Sequence, residues 1–154
     1  MRTESHGRHF VGITILLVDD EEKLRTSIAL RLQLRGYETV EAANGHEAIQ
    51  AIRSRSNIHV VVLDQKMQGS DTSRVLADIK QLRPDIPVIL LTGLGRLDPS
   101  IDPSRKDYFS FLEKPCDLDD LIQTIEDACR LHLQHPPQGE RSSPPDSRKR
   151  RSGG

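Results

Sequence analysis

The sequence predicts an α/β domain built on a parallel sheet, and three observations point there. Short, nearly continuous runs of Val, Ile and Leu appear at Ile13–Val18, Ile58–Leu63 and Pro87–Leu91, the mark of strands buried on both faces. Between them lie stretches whose apolar residues recur every three or four positions, the spacing of amphipathic helices. The two patterns alternate, and a strand–helix–strand crossover returns the chain to the sheet in the same direction.

Each element has its own signals. After the first strand, Leu24, Ile28, Ala29 and Leu32 recur at helical spacing, and Gly36 supplies the stop. Tyr37–Ala42 reads as a short strand, and Asn44 with Glu47 forms a capping pair opening a helix through Ile49 and Ile52. After the strand at Ile58–Leu63, Val75, Leu76, Ile79 and Leu82 predict a third helix closed by Arg83-Pro84. Pro87–Leu91 is the next strand and Phe109–Leu112 a shorter one. Leu118, Leu121, Ile122, Ile125, Cys129 and His132 share one stripe of a last helix, with Asp117 as its N-cap. The rhythm breaks once. Where a fourth helix belongs, Gly93, Gly95, Pro99 and Pro103 oppose a continuous helix, so two short turns are expected instead.

Composition bounds the rest. The 154 residues suit one domain with tails: an arm over 1–12, a folded unit over 13–133 and a tail over 134–154. Aromatics make up 3%, with no Trp, so the core must come from Leu, Ile, Val and Ala. A formal net charge of -1 provides no global attraction to nucleic acid or membrane. The apolar runs are too short to span a bilayer, and no membrane partner is expected. Cys116 and Cys129 are too far apart for a CxxC pair and read as free thiols of a cytoplasmic protein, a Cys116–Cys129 disulfide being the alternative. His6 and His9 in the arm lack the partner pattern of a metal site. The tail, rich in Pro, Ser and Arg, cannot bury a core and is expected to be disordered; its basic residues make nucleic acid an unexpected partner rather than an excluded one.

In a parallel sheet the strand ends share one rim, and ligands bind there. The first strand delivers Asp19-Asp20 to that rim, the third Asp64, the fourth Thr92 and the fifth Glu113-Lys114-Pro115. Each residue alone has an ordinary use: an Asp caps a helix or starts a turn, a Thr bonds its own backbone, a Lys is solvated. Together they constrain the chemistry. Two carboxylates at 4 Å repel by about 4 kcal/mol at an effective dielectric near 20. They remain ionised when a cation joins them, and otherwise one takes up a proton. Oxygen ligands select a hard ion such as Mg2+, which commonly uses one or two carboxylates and a phosphate oxygen. Lys114 then balances charge on a phosphoryl group, Thr92 offers it a hydroxyl, and Asp64 is the candidate nucleophile.

ILLVDDEE (15–22), VVLDQKMQG (61–69), ILLTG (89–93) and FLEKP (111–115) resemble the motifs of the bacterial response-regulator receiver family. The resemblance runs from about Ile13 to His132. It implies a flavodoxin-like, doubly wound five-stranded sheet in the order 2-1-3-4-5, here with the fourth helix degraded. It also implies that Asp20 and Asp64 bind magnesium directly, that Asp19 acts through water, and that the backbone carbonyl of Lys66 adds a ligand. Asp64 is then the phosphoacceptor, Thr92 and Lys114 stabilise the phosphoryl group, and Thr92 and Phe111 form the switch pair. The implied donor is a phosphohistidine on a sensor histidine kinase or a histidine phosphotransfer protein, and the implied output is an unnamed binding partner. A Lys114-Pro115 peptide in the cis form also follows from the resemblance.

The chain departs from the family at Gln68, where Pro is usual, at Lys106-Asp107-Tyr108, where a Gly-Ala pair is usual, and across the two prolines. Family-style dimerisation through the fourth-helix face is therefore not expected. Leu94 and Lys66, flanking the site, are expected to slow loss of the phosphoryl group. With no room in the tail for an output domain, the expectation is a stand-alone phosphoacceptor rather than a turnover enzyme. Three rivals remain: a pseudo-receiver that accepts no phosphate, a magnesium phosphatase (which usually places an Asp where Lys66 stands), and a DNA-binding regulator.

Overall fold

An apolar run with no wet face belongs in the middle of a sheet, and β1 (Thr14–Val18) is buried along its whole length. The computed structural model describes residues 12–67, 69, 71–93, 101 and 108–134. The arm through residue 11 with His6 and His9, Gln68, Leu94, the two prolines at 99 and 103, Lys106, Asp107, the side chain of His132 and the tail from 135 lie outside the described residues.

α1 (Glu22–Leu34) ends as Gly36 predicts. The Gly36 N–H donates to Gln33 O at 3.0 Å and the Tyr37 N–H to Leu32 O at 3.1 Å, the paired bonds of a Schellman turn. Gly36 sits at φ +98°, where a Cβ is strained. The turn leads into β2 (Glu38–Ala42), then α2 (Gly45–Ser54). Asn44 Oδ1 accepts from the Glu47 N–H at 2.9 Å. Glu47 returns its bond to the Ala43 N–H at 2.8 Å, one residue before the expected reciprocal donor.

β3 (Val60–Asp64) starts two residues later than the apolar run suggests. Ile58 is buried by packing among α2 and α3 residues rather than by strand pairing, and its carbonyl accepts from Arg83 Nη2 at 3.2 Å. α3 (Thr72–Leu82), β4 (Val88–Thr92), β5 (Ser110–Glu113) and α4 (Leu118–Gln134) complete the described elements. Before α4, the Asp117 carbonyl accepts from the Leu121 N–H at 3.1 Å. No described helix is long and apolar enough to cross a membrane.

The cap of α3 is a local source of stability: Asp71 Oδ1 accepts from the Ser73 and Arg74 N–H groups at 3.1 and 3.4 Å. Asp71→Ala is expected to cost about 1 kcal/mol, seen as a lower urea midpoint with an unchanged slope.

The five strands pair in parallel in the order β2-β1-β3-β4-β5, which is the order 2-1-3-4-5 implied by the resemblance. Alternate residues feed two apolar layers. Ile15, Leu17, Val60, Val62, Ile89 and Leu91 face α1 and α4, while Leu16, Val18, Val61, Leu63, Val88 and Leu90 face α2 and α3. Ile101, from the segment where a fourth helix was expected to be degraded, is buried in the second layer. Residues 94–100 and 102–107 around it lie outside the described residues. Cys116 and Cys129 are free thiols, half-buried and buried respectively.

Candidate functional site

Strand direction delivers the site. β1 pairs with β3 and β3 with β4, so Asp19, Asp64 and Thr92 emerge at neighbouring ends of the same rim. One carboxylate oxygen from each of Asp19, Asp20 and Asp64 lies within 4.8 Å of the others. Asp19 and Asp64 are buried, whereas Asp20 is exposed. The sheet therefore supplies a rigid pair and the turn after β1 a third carboxylate open to solvent.

Asp19 is tightly placed. Its N–H donates to Ala42 O at 3.0 Å, its Oδ1 accepts from the Glu21 N–H at 2.9 Å, and its carbonyl accepts from Arg25 Nη1 at 2.8 Å. Arg25 is itself held by Glu41, with Nε to Oε1 at 2.9 Å. The ordinary helix-capping role does not account for Asp19 or Asp20, because the N-cap of α1 is Glu21 and no side chain caps that helix. Asp19 Oδ2 is buried and has no hydrogen-bond partner among the described residues. A buried carboxylate oxygen of that kind suits a cation.

Asp64 Oδ1 accepts from the Lys66 N–H at 3.2 Å, and Oδ2 lies 3.3 Å from Lys114 Nζ. Burial pushes the Asp64 carboxyl up to about 6, and the neighbouring Asp19 charge adds to the rise. The Lys66 N–H and the Lys114 ammonium pull the other way without cancelling it. The donor set thus fits a hard divalent ion: three carboxylates, one with an orphaned buried oxygen and one whose carboxyl is raised by burial.

Lys114 is fixed through its backbone. The Lys114 N–H donates to Thr92 O at 2.6 Å, one step beyond the Thr92–Glu113 pair, and the Lys114-Pro115 peptide is cis. Thr92 is fully buried, and its Oγ1 has no partner among the described residues. Phe111 pairs with Leu90, two residues before Thr92, so Phe111 and Thr92 project from the same face. Phe111 is 39% exposed and meets Tyr108 edge-on, with ring centroids 6.4 Å apart and planes at 67°.

The residues expected to hold metal, stabilise the phosphoryl group or act as the switch pair lie at this rim or on the strand beside it: Asp19, Asp20, Asp64, Lys66, Thr92 and Lys114 at the strand ends, and Phe111 on β5; Leu94 lies outside the described residues. Arg25 was missed. Its only signal is a cation that follows shortly after the acidic run Asp19-Asp20-Glu21-Glu22. Thr72, which opens α3 and donates its hydroxyl to the carbonyl of Gln65, was missed as well.

The sequence model described as response regulator receiver domain matches residues 15–126. The chain belongs to this family. The transcriptional regulatory protein GlrR of Escherichia coli (strain K12) is 37% identical to it over 114 residues, which is 74% of this chain and 26% of GlrR. A response regulator receiver domain protein from Clostridium thermocellum superposes with a TM-score of 0.73 at 31% identity, covering 79% of this chain and 98% of that one. NtrX from Brucella abortus gives 0.73 at 33% identity, covering 80% of this chain and 28% of NtrX. The chain spans about a quarter of the length of the curated relatives it matches. The receiver fold, its strand order and its rim of acidic residues place the chain in two-component signalling.

Proposed function

We propose that this receiver domain takes a phosphoryl group from a phosphohistidine onto Asp64 and thereby changes which partner it binds. The observation that carries this reading is the position of Asp64, with Lys114 Nζ 3.3 Å from one oxygen and the Asp19 and Asp20 carboxylates beside it. In the transfer an Asp64 oxygen attacks phosphorus, the P–N bond to the donor imidazole breaks, and that imidazole leaves with the electron pair. Asp19, Asp20, Asp64 and the Lys66 carbonyl would hold Mg2+, which when bound neutralises charge and orients the phosphoryl oxygens. Lys114 balances negative charge that grows in the transition state, and the Thr92 hydroxyl gains an acceptor in the product. In this reading Thr92 moves onto the phosphoryl group and Phe111, which projects from the same face, turns inward with it.

The donor is a sensor histidine kinase or a histidine phosphotransfer protein, and the output is a binding partner; the domain is a phosphoacceptor, not a turnover enzyme. Two free thiols support a reducing, cytoplasmic setting. The deciding experiment is incubation with acetyl phosphate and magnesium, followed by intact mass. One added phosphoryl group, stable in acid and labile in base, is the expected result. No adduct would establish the pseudo-receiver reading, and rapid multiple turnover on phosphoesters would establish a phosphatase.

Magnesium binding should depend on pH. With the Asp64 carboxyl raised to about 6, a proton must leave before the metal is bound below that value. Apparent magnesium affinity is expected to fall about tenfold between pH 7 and pH 5. Isothermal calorimetry is the suitable measurement, since the chain has no Trp to report binding.

A further inference from the structure

Beside the phosphoacceptor rim, a cavity of about 480 Å³ opens between α1 and the turn that joins β5 to α4. Its walls are apolar: Leu24 and Ile28 of α1, Leu91 of β4, and Leu118 and Leu121 at the start of α4. The volume lies within the roughly 300–1,000 Å³ of sites that enclose small ligands, and such sites pair an apolar body with a few polar groups. The polar groups here are the Ser27 hydroxyl and two cations, Arg31 and Lys114.

The charge balance favours an anion. Arg31 makes no hydrogen bond or ion pair with the other described residues, while its helical neighbour Arg35 is taken by Asp119 at 3.2 Å. Among the described residues, no acidic side chain lines the cavity. The carboxylates beside the lining are Asp64, paired with Lys114 at 3.3 Å, and the exposed Asp117 and Asp120, which act on the Cys116 thiol, itself in the lining and raised mainly by burial. The geometry points to a binding site for a small amphipathic anion, an aliphatic or aromatic carboxylate whose apolar body lies on the leucines and whose head meets Arg31. Lys114 both lines this cavity and lies 3.3 Å from Asp64, so the occupant sits one side chain away from the phosphoacceptor. The binding itself does not depend on phosphoryl transfer.

Decanoate, below its micelle concentration, is a suitable probe, with decanol as the neutral control. Binding to the full chain is read by calorimetry and by the rate of Cys116 alkylation, located by peptide mass; the other thiol, Cys129, is buried. Decanoate is expected to slow Cys116 alkylation at least fivefold. Arg31→Gln is expected to weaken decanoate about tenfold and leave decanol unchanged. Ser27→Trp, an exposed position where the indole fills the cavity, is expected to remove both. Equal affinity of the parent for decanoate and decanol, or decanoate binding unaffected by both variants, would overturn the proposal. So would protection of Cys116 by a helical phosphodonor protein but not by decanoate, which would make the cavity a protein-docking surface.

Discussion

Asp64→Asn is expected to take up no phosphoryl group and, in metal-free protein at pH 8, to melt roughly 4–8 °C above the parent. The second effect follows from the same carboxylate as the first. The Asp64 carboxyl is raised from 3.8 to about 6 in the folded protein. Between those values the folded chain keeps a proton that the unfolded chain has released. Stability therefore falls as pH rises through this window, the reverse of the usual salt-bridged carboxylate, and the deficit persists above pH 6. A shift of that size corresponds to about 3 kcal/mol. The neutral amide escapes that deficit, in which the Lys114 attraction is already included, but carries the cost of its own burial as a polar group, which leaves a net gain on the order of 1–2 kcal/mol. Magnesium should raise the melting temperature of the parent and leave Asp64→Asn nearly unchanged. Differential scanning calorimetry at pH 5 and pH 8, with and without magnesium, checks both statements. A variant that melts below the parent at pH 8 would contradict the cost assigned to burying the Asp64 carboxylate beside Asp19.

Lys114→Ala is expected to slow adduct formation by about 10²–10³-fold, the scale of removing one preorganised charge from a transition state. Its backbone N–H is tied to Thr92 O at 2.6 Å, so the ammonium is launched from a fixed point and needs little rearrangement. Magnesium should still bind at pH 8, because the three carboxylates remain. The Asp64 carboxyl loses the cation that holds it down and should rise above 6, moving the pH dependence of magnesium binding upward. Intact-mass time courses give the rate, and calorimetry across pH separates it from a simple loss of folding.

Much of this was legible because the physics is local and periodic. Runs such as Ile15–Val18 can satisfy their burial only inside a parallel sheet, and a parallel sheet collects Asp19, Asp64, Thr92 and Lys114 at one end. Boundaries were less legible. Ile58 is buried without belonging to a strand, and hydropathy does not distinguish the two cases. The reciprocal bond of Glu47 falls on Ala43 because a side chain three torsions long has several backbone donors within reach. Arg25 was hidden since it acts on the carbonyl of Asp19, and a contact with a main-chain atom leaves no trace in residue types. The cavity beside α1 was hidden for a related reason: Leu24, Ile28 and Leu121 look like any core residues, and only the packed chain shows where the filling stops.

The strand that carries Asp64 is gripped from both sides. Val60 and Val62 belong to the layer under α1 and α4, and Val61 and Leu63 to the layer under α2 and α3. A close-packed strand of this kind cannot tilt or slide without opening voids above and below it at once. Asp64 therefore behaves as an anvil. Whatever is attached to it must be accommodated by side chains at the rim, such as Asp20 and Lys114, and not by a shift of the sheet.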